Sequence, residues 1–211
     1  MAKKYQAILF DLLTALLDSW SVWNHTAGSE QAGRAWRAEY LRLTYGCGAY
    51  RPYEELVAQA AQNVGLAPQL AQQLDRNWAG LEPWPDVAAT LTRLKKSYRL
   101  GVVTNCSARL GQLAAARVGV EFDVIVTSED AGFYKPDPRP YQLALEKLDL
   151  PAERVLFVAG SAYDMFGTAQ VGLDTFWHNR IGLAAPAGAP PSLAESRQIT
   201  DLLEFANAKQ V

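Results

Sequence analysis

The chain has 211 residues, 49% of them hydrophobic, which is enough for one α/β domain with a sizeable core and a modest insertion. Its 20 basic and 22 acidic side chains leave a formal net charge of −2, and no long run of one sign occurs. This balance argues against binding to nucleic acid or to a membrane surface, and it favours a small-molecule partner.

Cysteine content and hydrophobic runs indicate the compartment. Cys47 and Cys106 are far apart and lack the spacing of a zinc site or a disulfide framework, so we expect two reduced thiols. The apolar stretch near the N-terminus is interrupted by Asp11, which argues against a signal peptide. No run of about 18 apolar residues occurs that could cross a membrane. We therefore expect a cytoplasmic protein.

The chain begins with a short predicted strand over residues 5–11, in which apolar residues follow one another as in parallel strands buried on both faces. From about residue 19 to residue 78, apolar residues recur at helical spacing with glycine and proline between them, which predicts consecutive helices. Helix and strand then alternate. The predicted helices include residues 87–94, 110–118, 141–148 and 165–171, the predicted strands are 100–104, 124–127, 155–159 and 175–177, and 184–191 is predicted to be an exposed loop.

This alternation predicts an α/β fold with a parallel sheet flanked by helices and a helical cap inserted after the first strand. We expect residues 1–18 and 82–211 to form the core and residues 19–81 to form the cap. Ligands of such sheets bind beyond the carboxyl ends of the strands. Polar residues follow four of the predicted strands, which favours one converging site over separate helix caps: Asp11, Thr104 with Asn105, Lys135, and Ser161 with Asp164.

Six stretches resemble the haloacid dehalogenase superfamily, and within it the L-2-haloacid dehalogenase branch. They are FDLLTALLD (10–18), Trp36-Arg37, VVTNCS (102–107), FYKPDPRPY (133–141), VLFVAGSAYD (155–164) and WHNR (177–180). The resemblance covers nearly the whole chain. It implies a Rossmann-like core with a small helical cap, and an aspartate that forms a covalent ester with the substrate.

The branch is indicated by two positions. Phosphatases of this superfamily carry a second aspartate two residues after the nucleophile, where this chain has Leu13, and an acidic metal ligand where it has Gly160. A halide leaves without a proton, and a neutral carbon does not repel a carboxylate as phosphate does, so neither group is needed for dehalogenation. The resemblance thus implies a hydrolase of carbon–halogen bonds in short 2-haloalkanoic acids, with no metal and no cofactor. A phosphatase of small organic phosphates and an inactive binding protein remain the alternatives.

The resemblance also implies roles for individual residues. Asp11 is the expected nucleophile, Lys135 keeps it ionised, and Asp164 with Ser161 positions the hydrolytic water. Arg37 and Asn105 are expected to receive the halide. The alternatives are a helix N-cap for Asp164 and a solvated helix surface for Arg37. The remaining substrate-binding candidates are Thr104 and the backbone N–H groups after Asp11 for the substrate carboxylate, Tyr141 in the same cluster, and Leu13, Leu41 and Trp36 as pocket walls.

Two departures from the family pattern concern the nucleophile. The family has glycine and then threonine at the third and fourth places after the aspartate, whereas this chain has Thr14 and Ala15. We expect the shift of one residue to point the threonine side chain away from Asp11; the alternative is that Thr14 supports Asp11 from the adjacent position. In the fourth-strand loop, Ser161 stands where the family has asparagine, and Ala159 where it has serine. The oligomeric state is open, with a homodimer among the options.

Overall fold

The computed structural model describes residues 4–208. Its centre is a six-stranded sheet in the order β3-β2-β1-β4-β5-β6, in which every neighbouring pair is parallel. The strands are β1 (Ala7–Phe10), β2 (Arg99–Thr104), β3 (Val124–Thr127), β4 (Val155–Ala159), β5 (Asp174–His178) and β6 (Ala194–Ser196).

Helices cover both faces of the sheet and fill the segment between β1 and the rest of the core. They are α1 (Ser19–Ala27), α2 (Glu30–Gly46), α3 (Tyr53–Asn63), α4 (Leu70–Asn77), α5 (Val87–Leu94), α6 (Ala108–Arg117), α7 (Ser128–Ala131), α8 (Pro138–Leu148), α9 (Asp164–Val171) and α10 (Asp201–Ala208), with 3₁₀ turns at Trp78–Gly80 and Ala152–Arg154. In the described part of the chain, no helix is both long and apolar enough to cross a bilayer.

β1 occupies the middle of the sheet because all four of its residues are apolar and buried. Phe10 pairs with Val102 on one side and with Val158 on the other. The strand order reverses at β1, so the crevice between the ends of β1 and β4 is the switch point at which open α/β sheets bind ligands. Asp11 directly follows β1 at this point.

The helices of residues 19–80, here called the inserted helices, are packed together through aromatic side chains that are continuous with the core on one face of the sheet. Trp23 and Trp36 meet edge to face with ring centroids 4.8 Å apart, and Tyr40 and Tyr53 do so at 5.2 Å. Ser29 caps α2 by accepting from the backbone N–H of Ala32. Such aromatic packing makes the inserted helices a rigid wall for the space between them and the sheet.

The inserted helices are bonded to the carboxyl edge of the sheet. The Tyr40 hydroxyl donates to the carbonyl of Asn105 at 3.0 Å, and Nε1 of Trp78 donates to the carbonyl of Leu110 at 3.0 Å. Both acceptors lie beyond β2. The inserted helices are therefore held above the strand ends at which the polar residues converge.

The predicted α/β fold is confirmed, and β3 and β4 have their predicted bounds. Residues 184–191 form a loop without helix or strand, as predicted. β6, α7 and α10 were not predicted: β6 has only three residues and follows a proline pair, α7 has only four residues, and α10 follows a short turn near the end of the described residues. A three-residue edge strand has too little pattern to be seen in the sequence alone.

Candidate active site

The turn after β1 wraps around the carboxylate of Asp11, which is 7% exposed. Its Oδ2 accepts from the backbone N–H of Thr14 at 2.9 Å, from the Thr14 hydroxyl at 2.6 Å and from the backbone N–H of Ala15 at 3.2 Å. The expectation that Thr14 points away from Asp11 is therefore wrong. The aspartate caps its own turn, and the turn in return fixes the direction of the carboxylate.

Lys135 lies between two carboxylates in the floor of the site. Its Nζ is 2.8 Å from Oδ1 of Asp11 and 2.9 Å from Oδ1 of Asp164, and all three side chains are buried. Burial alone would lower the pKa of Lys135, but the two negative charges outweigh it and raise the pKa above its ordinary value. One ammonium thus serves both acids.

The two acids differ because their other partners differ. Burial raises the pKa of a carboxyl, but Lys135 and the donors of Thr14 overcome burial at Asp11 and hold its pKa below the ordinary value. At Asp164, burial and the neighbouring charge of Asp11 prevail over Lys135 and Tyr141, so its pKa is raised. The site therefore holds one acid that stays ionised and one that gains a proton more readily.

Asp164 is the first residue of α9, yet its carboxylate faces the site. Oδ1 accepts from the Tyr141 hydroxyl at 2.7 Å in addition to Lys135. The two side chains donating to Oδ1 thus come from outside α9, which is not the geometry of an N-cap. Tyr141 is fully buried, and burial together with the charge of Asp164 raises its pKa well above its ordinary value.

Arg37 projects from α2 toward the same site and is 8% exposed, so the solvated-surface alternative is wrong. Its Nη1 donates to Oγ of Ser19 at 2.8 Å, and its guanidinium lies 4.0 Å from the ring centre of Trp20. Among residues 4–208, no carboxylate lies within 4.0 Å of it. A buried guanidinium without an acidic partner has a positive charge available for an anion.

These groups border a pocket of about 210 Å³ between the inserted helices and the strand ends. Its lining residues are Asp11, Leu13, Thr14, Trp20, Arg37, Tyr40, Leu41, Tyr45, Asn105, Lys135, Pro136, Ser161, Tyr163, Asp164, Leu183 and Ala184. Most of the wall is apolar or aromatic, with few charged groups at the base. This combination suits a small ligand that carries a charge and a short apolar part.

Of the eleven predicted site residues, eight line the pocket. Trp36 does not, so its assignment as a pocket wall is wrong: its Nε1 donates to the carbonyl of Val57 inside the inserted helices. Thr104 is not a lining residue either, because its hydroxyl is buried 3.8 Å from Sγ of Cys106. Tyr141 lies beneath the pocket and reaches it through Asp164. Neither Thr104 nor Tyr141 is placed to contact a ligand directly.

Asn105 lines the pocket and also holds the loop that carries the lysine. Its Oδ1 accepts from the backbone N–H of Lys135 at 2.8 Å and from the Ser128 hydroxyl at 2.8 Å, while Nδ2 donates to the carbonyl of Lys135 at 3.0 Å. The second N–H of this amide has no acceptor in the described chain. Asn105 therefore positions Lys135 and keeps one donor available.

Several lining residues were not predicted. Tyr40 lies three residues after Arg37 on α2 and so shares its face, a signal that the sequence contains. Tyr45 and Tyr163 both line the pocket and contact each other in a tilted arrangement, with ring centroids 4.9 Å apart. Leu183 has no such signal: its backbone N–H and carbonyl are bound by the side chain of Asn179, which turns the loop toward the pocket.

A parallel sheet with a buried aspartate at its switch point, kept ionised by a lysine beside it, suits an enzyme that uses a carboxylate as nucleophile. The profile described as haloacid dehalogenase-like hydrolase matches residues 8–178 of the chain. The chain belongs to this family.

Individual relatives and solved structures give a closer comparison than the family as a whole. The (S)-2-haloacid dehalogenase H-109 of Pseudomonas putida is 30% identical over 96% of both chains. The crystal structure of an L-2-haloacid dehalogenase superposes with a TM-score of 0.86 at 25% identity, covering 97% of this chain and 99% of that one. The L-2-haloacid dehalogenase of Xanthobacter autotrophicus, solved with chloropropionic acid covalently bound, has the same fold: its TM-score is 0.88 at 19% identity, over 98% and 100% of the two chains.

Proposed function

We propose that the protein is a 2-haloacid dehalogenase, which hydrolyses the carbon–halogen bond of short 2-haloalkanoic acids through an ester on Asp11. One observation carries the proposal: an ionised aspartate, Asp11, and a buried arginine that has no carboxylate within 4.0 Å among residues 4–208, Arg37, face the same small pocket. The first is a nucleophile and the second attracts anions. The likeness to the P. putida enzyme over nearly the whole chain supports the same activity.

Hydrogen bonding favours Oδ1 of Asp11 as the attacking oxygen. Oδ2 accepts from three donors of its own turn, whereas Oδ1 accepts from Lys135. Oδ1 therefore has a lone pair free to attack C2 of the substrate on the face opposite the halogen. The carbon–halogen bond breaks with both of its electrons on the departing halide, and an aspartyl ester forms.

Anion binding is proposed for three groups that keep a charge or an N–H donor available within residues 4–208. Arg37 offers its guanidinium, Asn105 its second amide N–H, and the pocket-lining Leu13 a backbone N–H for which residues 4–208 provide no acceptor. Arg37 and Asn105 would receive the halide, and the backbone donor would receive the substrate carboxylate. Leu41 and Leu13 would contact the carbon chain.

The ester is cleaved by water in the second step. Asp164, whose pKa is raised by burial, is a stronger base than an ordinary aspartate and takes a proton from the water. Ser161 lines the pocket and would hold this water. The hydroxide attacks the carbonyl carbon of the ester. The bond from that carbon to the substrate oxygen then breaks, and the oxygen takes the proton held by Asp164 to give the 2-hydroxy acid. The second proton of the water is released to solvent, which restores Asp11 as carboxylate.

The site does not favour a phosphatase. Leu13 provides no general acid. A metal between Asp11 and Asp164 would compete with the Lys135 ammonium, which is bonded to Oδ1 of both. Gly160 provides no further ligand, and the donor set therefore does not fit Mg²⁺, which prefers several carboxylates and waters in octahedral array.

The inserted helices and the rest of the chain contribute different residues to the pocket. The inserted helices contribute Arg37, Tyr40, Leu41 and Tyr45, while the segments after β1 and β4 contribute the nucleophile and the base. On this basis residues 19–81 act as a cap domain on a core of residues 1–18 and 82–211. The two free cysteines are in keeping with a cytoplasmic enzyme.

A single turnover in ¹⁸O-labelled water tests the covalent route. With enzyme in excess over L-2-chloropropionate, the label should enter the carboxylate of Asp11, because water attacks the aspartyl carbon of the ester. Peptide mass spectrometry locates it. The Asp11→Asn variant, checked for deamidation, should release no halide although it folds. Label in the product and none in Asp11 would rule out the ester and favour direct attack by water.

A further inference from the structure

The hydroxyl nearest the nucleophile comes from an unexpected position. Thr14 Oγ1 donates to Oδ2 of Asp11 at 2.6 Å, the shortest of the three bonds to that oxygen. The family pattern places its threonine one residue later, where this chain has Ala15. The turn therefore places the side chain of the third residue after Asp11 against the carboxylate.

Gly160, at the end of β4, makes this turn possible. A Cβ atom on residue 160 would lie 2.6 Å from the carbonyl carbon of Thr14, and closer still to the Thr14 hydroxyl and to the backbone nitrogen of Ala15. Heavy atoms do not approach so closely, and two of these three atoms belong to the backbone. Only glycine allows the turn to pack this tightly against β4. Thr14 and Gly160 thus form one arrangement, although they lie far apart in sequence.

Two ring nitrogens, from Trp84 and His178, bind the backbone carbonyls of the same turn. Nε1 of Trp84 donates to the carbonyl of Thr14 at 3.2 Å, and Nδ1 of His178 lies 2.7 Å from the carbonyl of Ala15. A carbonyl oxygen accepts only, so Nδ1 of His178 carries the proton. The N–H groups of Thr14 and Ala15 therefore bind Asp11, and their carbonyls are bound by the core. This leaves the turn little freedom to move.

We propose that Thr14 is a positioning residue for the nucleophile, which orients Asp11 with its hydroxyl, and that Gly160 provides the space for it. The inference rests on the proposed function for its kinetic part. By supplying the third donor to Oδ2, the hydroxyl leaves Oδ1 as the oxygen with a free lone pair toward the pocket. Because it binds the charged form, it also helps to keep Asp11 ionised.

Two variants of Thr14 distinguish the effect of its hydroxyl from the effect of its side-chain shape. Thr14→Val keeps the branched side chain and removes the donor, and Thr14→Ser keeps the donor. Halide release from L-2-chloropropionate should show kcat lowered about tenfold to a hundredfold in Thr14→Val, as for the loss of a hydrogen bond to a charged group, with KM nearly unchanged. Thr14→Ser should recover most of kcat. The matched control is Thr90→Val in α5, which removes a buried threonine hydroxyl bonded to the carbonyl of Asp86; it should leave kcat unchanged.

A second measurement does not depend on activity. In protein labelled with ¹³C at aspartate carboxyls, NMR titration should show the pKa of Asp11 higher in Thr14→Val than in the wild type and restored in Thr14→Ser. Unchanged titration together with unchanged kcat in Thr14→Val would overturn the proposal. If the wild type releases no halide, the proposed function fails instead, and the titration alone then decides whether Thr14 supports Asp11.

Discussion

Lys135 places its ammonium 2.8 Å from Oδ1 of Asp11, and both side chains are buried. The same ammonium is bonded to Asp164, so the three buried side chains carry a net charge of −1 when all of them are ionised. Buried charges are tolerated when they are paired, and removing one partner of such a set is far more costly than removing a surface pair. Lys135 therefore stabilises the folded protein and also supports the reaction at Asp11.

The first prediction concerns this lysine. Lys135→Met leaves two carboxylates facing each other without a cation, so we expect the free energy of unfolding near neutral pH to fall by about 3–5 kcal/mol. Halide release should also fall steeply, because Asp11 loses the charge that keeps it ionised. Denaturant unfolding and halide assays check both. Lys147→Met, at an exposed position on α8, is the control and should change neither.

The stability cost of that substitution should depend on pH. In the wild type, the depressed pKa of Asp11 gives a contribution that is present above its unfolded pKa and is lost as the pH falls through its folded pKa. In Lys135→Met, the pKa values of both acids should be raised, so stability is lost as the pH rises through them. The deficit relative to the wild type should thus be larger at about pH 7 than at about pH 4.5. An equal deficit at both pH values would contradict the charge assignment.

The second prediction uses Tyr141 to identify the base. Activity should fall as the pH drops through the raised pKa of Asp164, since only its ionised form accepts a proton, while Asp11 stays ionised. The Tyr141 hydroxyl binds the ionised form of Asp164, so Tyr141→Phe should move the acid limb of the kcat profile to higher pH. Tyr98→Phe, which removes a hydroxyl bonded to the carbonyl of Ala206, is the control. A limb that does not move in Tyr141→Phe would exclude Asp164 as the titrating base.

The third prediction separates activity from stability at Arg37. A buried guanidinium without a carboxylate partner costs folding free energy, and burial lowers its pKa. Arg37→Met should therefore raise the free energy of unfolding or leave it unchanged, while kcat/KM falls at least about tenfold through the loss of the anion-binding charge. Arg42→Met, an exposed position on the same helix, should alter neither. A variant that loses stability and keeps its activity would show that Arg37 is structural.

The sequence predicted the sheet and most of the site for a physical reason. Parallel strands are buried on both faces and so read as continuous apolar runs, and their ends converge by topology, which brings Asp11 and Asp164 together. Errors arose where a contact depends on a distant element. Thr14 could be placed only with knowledge of Gly160 beneath it, and Trp36 could be excluded from the pocket only by its bond to Val57.

The last prediction concerns the two positions at which phosphatase chemistry is missing. Comparison of motifs suggests that Leu13→Asp and Gly160→Asp would supply the general acid and the metal ligand. At Gly160, however, any Cβ meets the backbone of Thr14 and Ala15, so an aspartate there must displace the turn that holds Asp11. We expect the double variant to lose stability and halide release without gaining phosphatase activity.

Leu13→Asp alone should fold, because Leu13 lines the pocket, but its charge beside Asp11 should repel the anionic substrate and raise KM. For the wild type, EDTA should leave halide release unchanged, and calorimetric titration with Mg²⁺ should show no tight site. A phosphatase would become the preferred function if Mg²⁺ bound tightly, if Asp164→Asn abolished that binding, and if phosphate esters were hydrolysed in the presence of Mg²⁺. Lys135, already bonded to Oδ1 of both acids, is the reason to expect the opposite.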